Sequence, residues 1–141
     1  MDLVVRYAEI KDYDSIIKID HIAVKEESRK NLIKDALLKD EVSVVLCGSS
    51  ITGYSITLPN FFGFPFIEML YIDEKYRGKG LGNFLLQAIT KNVQYEKIFT
   101  STNQSNAQMK KLLLKQNWIR SGIIENLDNN DPELVYCKFL K

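Results

Sequence analysis

The tightest constraint on the fold is the segment Tyr76-Arg77-Gly78-Lys79-Gly80-Leu81-Gly82, in which three of the five residues from 78 to 82 are glycine. It stands between an apolar run that reads as a strand, Phe66 to Ile72, and a run in which Leu81, Phe84, Leu85, Ala88 and Ile89 recur at helical spacing. Glycines cost a folded chain backbone entropy, so a cluster at a strand-to-helix junction needs an offsetting gain. A turn with inward-pointing amides, followed by the positive end of a helix, supplies one, because it can hold a multiply charged anion such as a diphosphate. Arg77 and Lys79 add cations to the same turn. The loop lacks the four-residue gap and the hydroxyl of a P-loop. Counted from Gly78, Asn83 stands where a dinucleotide-binding turn needs its third glycine. A junction that uses glycine for tightness alone is the competing reading.

Strand-like and helix-like runs alternate through the rest of the chain. Leu3 to Ala8 reads as a strand, followed by a helix that Asp12 or a neighbour caps, with Tyr13, Ile16 and Ile17 on one side. Leu32, Ile33, Ala36 and Leu37 mark a second helix. Val42 to Cys47 and Ile51 to Leu58 flank Gly48-Ser49-Ser50 and should pair as a hairpin. An aromatic loop from Pro59 to Pro65 leads to the strand ending at Ile72. Lys97 to Ser101 reads as a strand, Ser105 or Asn106 opens a helix carrying Met109, Leu112 and Leu113, and Trp118 to Ile124 and Leu134 to Leu140 are final strands. The order β α α β β β α β α β β predicts an α/β chain: a mixed, mostly antiparallel sheet of about seven strands with about four helices. Nothing resembling a repeat or linker divides the 141 residues, so one domain over 1–141 is expected.

Composition narrows the function classes. Nineteen basic and eighteen acidic side chains leave a formal charge of +1, which argues against the broad basic surface of a nucleic-acid binder. No apolar run is long enough to span a bilayer and no signal peptide opens the chain, so a cytoplasmic protein with no membrane partner is expected. Cys47 and Cys137 lie in apolar stretches without metal-ligand spacing and read as buried, reduced thiols; no metal site is expected. His21, the only histidine, has no nucleophile near it in sequence, which argues against a catalytic role.

The spacing Arg77-x-x-Gly80-x-Gly82 resembles the pyrophosphate-binding motif of the GNAT superfamily of acyl-CoA-dependent N-acyltransferases. The resemblance runs along the chain. Val5-Arg6-Tyr7-Ala8 with Asp12 is similar to the family's first strand and helix cap, and Ile67-Glu68-Met69-Leu70-Tyr71-Ile72 is similar to its fourth strand. Asn106 with Leu112 to Trp118 resembles its second motif, although Asn117 and Trp118 replace the usual Gly-Phe.

This resemblance implies an acetyl-CoA-dependent N-acetyltransferase in which an amine attacks the thioester directly. It places the pyrophosphate on the amides of Arg77, Gly78, Lys79, Gly80, Leu81 and Gly82. It also pairs pantetheine with the backbone of Leu70, Tyr71 and Ile72, where the fourth and fifth strands splay apart. Asn106 and Asn103 would bond the pantetheine arm, although asparagines at these positions also serve as helix caps and turn formers. Glu68 matches the glutamate that acts through water as general base; an exposed carboxylate or ion-pair partner is the alternative. The tyrosine that usually protonates the leaving thiolate is replaced by Leu113, which leaves Tyr71 or water as substitute acid. That loss favours a second reading, a non-catalytic acyl-CoA-binding regulatory module. The acceptor, a small-molecule or protein amine, is left open, and a homodimer is one of the assemblies the resemblance implies. Phe61, Phe62 and Phe64 could wall an acceptor pocket or bridge strands as a cluster. Glu125, Asp128, Asp131 and Glu133 could attract a cation or form a solvated turn.

Overall fold

A computed structural model describes Asp2 to Leu140. Among these residues the elements run β1 (Leu3–Tyr7), α1 (Tyr13–Ile19), α2 (Glu27–Leu38), β2 (Val42–Cys47), β3 (Ser50–Phe61), β4 (Phe64–Ile72), α3 (Leu81–Asn92), β5 (Lys97–Asn103), α4 (Ala107–Lys115), β6 (Ile119–Ile124) and β7 (Glu133–Phe139). Short 3-10 turns at Ile10–Asp12 and Glu74–Tyr76 precede α1 and α3. The seven strands form one sheet in the order β1-β2-β3-β4-β5-β7-β6. The expected element order and mixed sheet are therefore those of the protein.

Contacts divide the chain into two compact units, Met1–Thr57 with Met69–Lys91, and Leu58–Glu68 with Asn92–Lys141. In the first, β2 pairs antiparallel with β1 and β3. The register slips between Val45 and Leu46, where Thr52 Oγ1 donates to the Val45 carbonyl at 3.1 Å. Such a bulge bends its strand and sharpens the local twist. Gly53, opposite Val45, approaches the end of β4 so closely that a Cβ there would lie 2.8 Å from the Tyr71 carbonyl oxygen. Ile16, Ile33, Val42, Val44, Ile56, Leu81, Leu85 and Leu86 are buried, and each such side chain contributes roughly 1.5–3 kcal/mol. Leu81, Leu85 and Ile89 form the apolar stripe that fixes α3.

In the second unit, β7 pairs antiparallel with β5 and β6. The parallel ladder between β4 and β5 consists of Phe66 with Phe99 and Ile67 with Thr100, reinforced by Thr100 Oγ1 donating to the Ile67 carbonyl at 2.8 Å. Asn106 caps α4, its side-chain oxygen accepting from the Met109 amide at 3.1 Å. The helix stops where Asn117 takes φ 66°, a left-handed position that asparagine tolerates better than other non-glycine residues. That is why Asn117 can stand where the resembling motif has glycine. Trp118, next in the chain, is fully buried.

Three expectations need correction. The aromatic segment is mostly strand: β3 continues to Phe61 and β4 starts at Phe64, leaving Phe62 (φ 55°) and Gly63 (φ 87°) as the turn. Two successive left-handed residues make a tight hairpin turn whose twist suits the flanking strands. Phe61 stacks on Phe66 at 4.7 Å between ring centres and meets Phe99 at 5.2 Å, while Phe62 is 88% exposed. The cluster therefore joins strands, and Phe62 meets it edge-on, 5.0 Å from Phe61 between ring centres. Asp12 stands at the N-cap of α1 but makes no side-chain cap bond there, because its carboxylate is held by Arg6 at 2.9 and 3.1 Å and accepts from the Glu9 amide at 2.8 Å. Cys137 is buried, which pushes its thiol pKa up, but Cys47 at the end of β2 is only half-buried.

Candidate active site

The glycine segment folds as the sequence demands. Asp73 follows β4 and accepts from the Lys75 amide at 3.2 Å through its side chain, and the 3-10 turn then carries the chain towards α3. Gly78 and Gly80 have φ values of 77° and 82°, and a Cβ at either would meet nothing within 4 Å. The constraint there is backbone conformation and not crowding. The first backbone bond into α3 is donated by Phe84 to the Gly80 carbonyl at 3.0 Å. The amides from Gly78 to Gly82 consequently have no backbone acceptor among the described residues. Gly82 lies inside the first turn of α3, where unpaired amides and the helix dipole favour an anion.

Arg77 is placed differently from its neighbours in the loop. Its amide donates to the Glu74 carbonyl at 3.4 Å, its Nε donates to the Ile72 carbonyl at 3.0 Å, and its guanidinium lies over the Tyr71 ring. The Arg77 side chain thus braces β4, while its amide closes the 3-10 turn. Lys79 is exposed at the loop, its Nζ 5.6 Å from the centre of the Tyr76 ring.

Tyr71 is the hub of a polar cluster within the first unit. Its ring is 8% exposed and stacks on Tyr54 at 5.9 Å, with Arg29 on α2 5.7 Å from its centre. The Tyr71 hydroxyl meets His21 Nδ1 in a hydrogen bond and accepts from the His21 amide at 3.3 Å. His21 itself is exposed. Beside it Asp20, wholly buried, accepts from the amides of Ile22 and Ala23, from Arg29 and, at 2.5 Å, from the Tyr54 hydroxyl. Burial works to raise the Asp20 carboxyl, but the Tyr54 hydroxyl, the Ala23 amide and Arg29 outweigh it and hold the pKa below the usual carboxylate value. Burial and the bond to Asp20 push the Tyr54 phenol far above its ordinary value. No sequence motif pairs residue 21 with residue 71 or residue 20 with residue 54, because these contacts exist only once β3 and β4 lie beneath the segment that joins α1 to α2.

The remaining expected residues are placed as follows. Leu70 and Ile72 are half-buried on β4 beyond the last pair of the β5 ladder, and Glu68 is exposed on the same strand. In the second unit, Asn103 Nδ2 donates to Asp128 at 2.8 Å, and Asn106 uses its oxygen as a helix cap. Leu113 is fully buried, so no proton donor stands at that position. Ser101 donates to Glu133, and Ser105 donates to Asp131 through both its amide and its hydroxyl, which ties down the acidic turn. Glu125, Asp128 and Asp131 line a hollow of about 320 Å³ in that turn. Among the described residues, no three His, Cys, Asp or Glu side chains converge as a metal site, and no helix is long and apolar enough to cross a membrane.

A run of unpaired amides at a helix N-terminus can bind a diphosphate, and a phenol joined to an imidazole can move a proton. Residues 10–118 match the Acetyltransferase (GNAT) family. The structure is similar to that of a GNAT-family acetyltransferase from Bacillus cereus ATCC 10987, with 34% identity, a TM-score of 0.91, and 99% of this chain and 98% of that one covered. Ard1 from Thermoplasma volcanium shares the fold at 16% identity and a TM-score of 0.83, over 99% of this chain and 98% of that one. So does yncA from Salmonella typhimurium, solved with its cofactor acetyl-CoA, at 18% identity and a TM-score of 0.75, over 99% and 94%. No curated protein sequence matches.

Proposed function

The chain belongs to the Acetyltransferase (GNAT) family, and from that premise we propose that it is an N-acetyltransferase moving the acetyl group of acetyl-CoA to a primary amine within a ternary complex. The observation that carries the reading is the series of amides from Gly78 to Gly82 with no backbone acceptor among the described residues, at the start of α3. They would take the two phosphoryl groups, with Lys79 adding a cation. Arg77, whose amide and guanidinium are engaged, would serve by holding the loop against β4. The backbone of Leu70, Tyr71 and Ile72 would pair with pantetheine, and Asn106, with Asn103, would bond its amides. The cofactor supplies an activated thioester; the protein has to orient it and manage protons. The family match spans residues of both compact units, so the reading takes 1–141 as one catalytic domain.

A lysine-like amine with a pKa near ~10.4 needs about 4–5 kcal/mol to lose its proton at neutral pH. Glu68 would accept that proton through water. Calorimetry with CoA tests the loop, and thiol release from acetyl-CoA over a panel of peptides, amino acids and polyamines tests the transfer. We expect Glu68→Gln to lower kcat by about 10²–10⁴-fold with CoA affinity unchanged. The buried Leu113, in place of an acid, favours a second reading, an acyl-CoA-binding regulatory module; CoA binding without turnover of any amine would select it.

A further inference from the structure

We propose that His21 supplies the proton that Tyr71 gives to the departing sulfur, so that an exposed imidazole and a buried phenol together do the work of the acid absent at Leu113. The inference rests on the acetyl-transfer reading above and goes beyond it in naming the proton's source and route.

The geometry is specific. The Tyr71 hydroxyl is in a hydrogen bond with Nδ1 of an exposed His21, while Tyr71 itself is on the strand segment, Leu70 to Ile72, that would run beside the thioester arm. A buried phenol that gives up its proton needs a second group to restore it, and that group must reach water. His21 meets both conditions. It also donates its backbone amide to the same oxygen, at 3.3 Å, which fixes the hydroxyl relative to the ring.

The surrounding groups leave this route open. Arg29 and Arg77 place guanidinium groups 5.7 and 5.1 Å from the centre of the Tyr71 ring, over its face and away from the hydroxyl's bond to His21. Tyr54, stacked on the same ring, donates its own proton to Asp20 and does not compete. Asp20 is saturated by Arg29, Tyr54 and two amides, so it does not accept the imidazole's proton. The Tyr71 Oη–H bond breaks as the S–H bond forms, the Nδ1–H bond of the His21 imidazolium breaks as the phenol is restored, leaving a neutral imidazole, and solvent returns to it a proton of the kind the ammonium acceptor has shed. Of the two protons an ammonium acceptor sheds, one leaves through the base and the other is balanced by the one delivered to sulfur.

Because His21 is the only histidine, its Hε1 proton NMR resonance can be followed against pH without ambiguity. The protein is saturated in turn with CoA and with desulfo-CoA, which differ only in the sulfur. The expected result is a His21 midpoint that differs by about 0.3 pH unit or more between the two, a difference that disappears in Tyr71→Phe. Equal midpoints with both ligands bound would overturn the relay alone, whereas absence of CoA binding in calorimetry would overturn the acetyl-transfer reading and the relay together. Kinetics give a second readout. His21→Asn keeps an acceptor atom near the phenol but cannot titrate, so thiol release should fall about 10-fold or more with unchanged KM for acetyl-CoA, and added imidazole should restore part of the loss in His21→Ala. Turnover by His21→Asn equal to that of the unaltered protein would reduce the histidine to a structural contact and refute the proposal.

Discussion

The Arg77 guanidinium lies 5.1 Å from the centre of the Tyr71 ring while its Nε donates to the Ile72 carbonyl, so one side chain clamps the glycine turn to the strand before it. A planar fork can stack and donate at once; an ammonium cannot. Arg77→Lys should therefore lower stability by about 1–2 kcal/mol through the lost stacking and hydrogen bond. Its effect on CoA affinity should be smaller than that of a lesion in the amide run. Thermal unfolding and calorimetry on the same variant check both statements. A large affinity loss at unchanged stability would mean that the guanidinium contacts phosphate instead.

Two glycines in the turn separate backbone strain from ligand approach. Gly80 sits at φ 82°, where alanine is strained by about 1 kcal/mol or more, so Gly80→Ala should lower both the melting temperature and CoA affinity. Gly82 is helical, and alanine there favours the helix by about 1 kcal/mol. Gly82→Ala should thus melt no lower than the unaltered protein while binding CoA at least about tenfold more weakly, because its methyl group would lie beside the amides offered to phosphate. Calorimetry showing unchanged affinity for Gly82→Ala would remove the loop from the binding site.

The parts of this fold that were readable in the sequence are those governed by local periodicity and turn chemistry. Val42–Cys47 and the start of α3 at Leu81 fall where apolar spacing and glycine place them, because burial of one face is a local pattern. The aromatic segment reads as a loop because of its prolines and glycine, while ring stacking among Phe61, Phe66 and Phe99, a tertiary effect, keeps the strands paired. The glycine run suggests the proposed anion site by composition alone. The cluster of Asp20, His21, Tyr54 and Tyr71 announces nothing, since its members are apart in sequence and each type is ordinary by itself. Arg77 was legible as a cation near the loop, but its commitment to Tyr71 and Ile72 was not.

Asn117 offers a test at the end of α4. Its φ of 66° is the left-handed position after a helix, for which glycine has no steric penalty and asparagine a small one. Asn117→Gly should be neutral or stabilise by up to about 0.5–1 kcal/mol, whereas Asn117→Ala should cost about 1 kcal/mol. Urea denaturation of the pair checks the order. Because Trp118 follows directly and is fully buried, equal stabilities would indicate that its packing, not the backbone angle, sets the helix end.

The buried pair of Asp20 and Arg29 sets the acid limit of stability. Burial opposes the Asp20 charge, but the Tyr54 hydroxyl at 2.5 Å, the Ala23 amide at 3.1 Å and Arg29 at 2.9 Å prevail, so the folded carboxyl has a lower pKa than the unfolded one. A folded state that holds its proton less tightly gains stability wherever the unfolded group would be ionised. The contribution is complete above the unfolded value of about 3.9 and is lost as pH falls through the lower folded value. Asp12, lowered chiefly by its hydrogen bond to Arg6, acts in the same sense, and more weakly because that guanidinium is partly exposed to screening solvent. Stability from these groups should therefore be constant from pH 7 to about 5 and decline below about pH 4. Asp20→Asn leaves Arg29 largely buried without a counter-charge and should cost about 3–5 kcal/mol at pH 7, with a shallower acid decline. Urea unfolding at pH 7, 5 and 3.5 for both proteins measures the two slopes. If the asparagine variant lost stability with acid as steeply as the unaltered chain, the decline would have to originate in carboxylates other than Asp20.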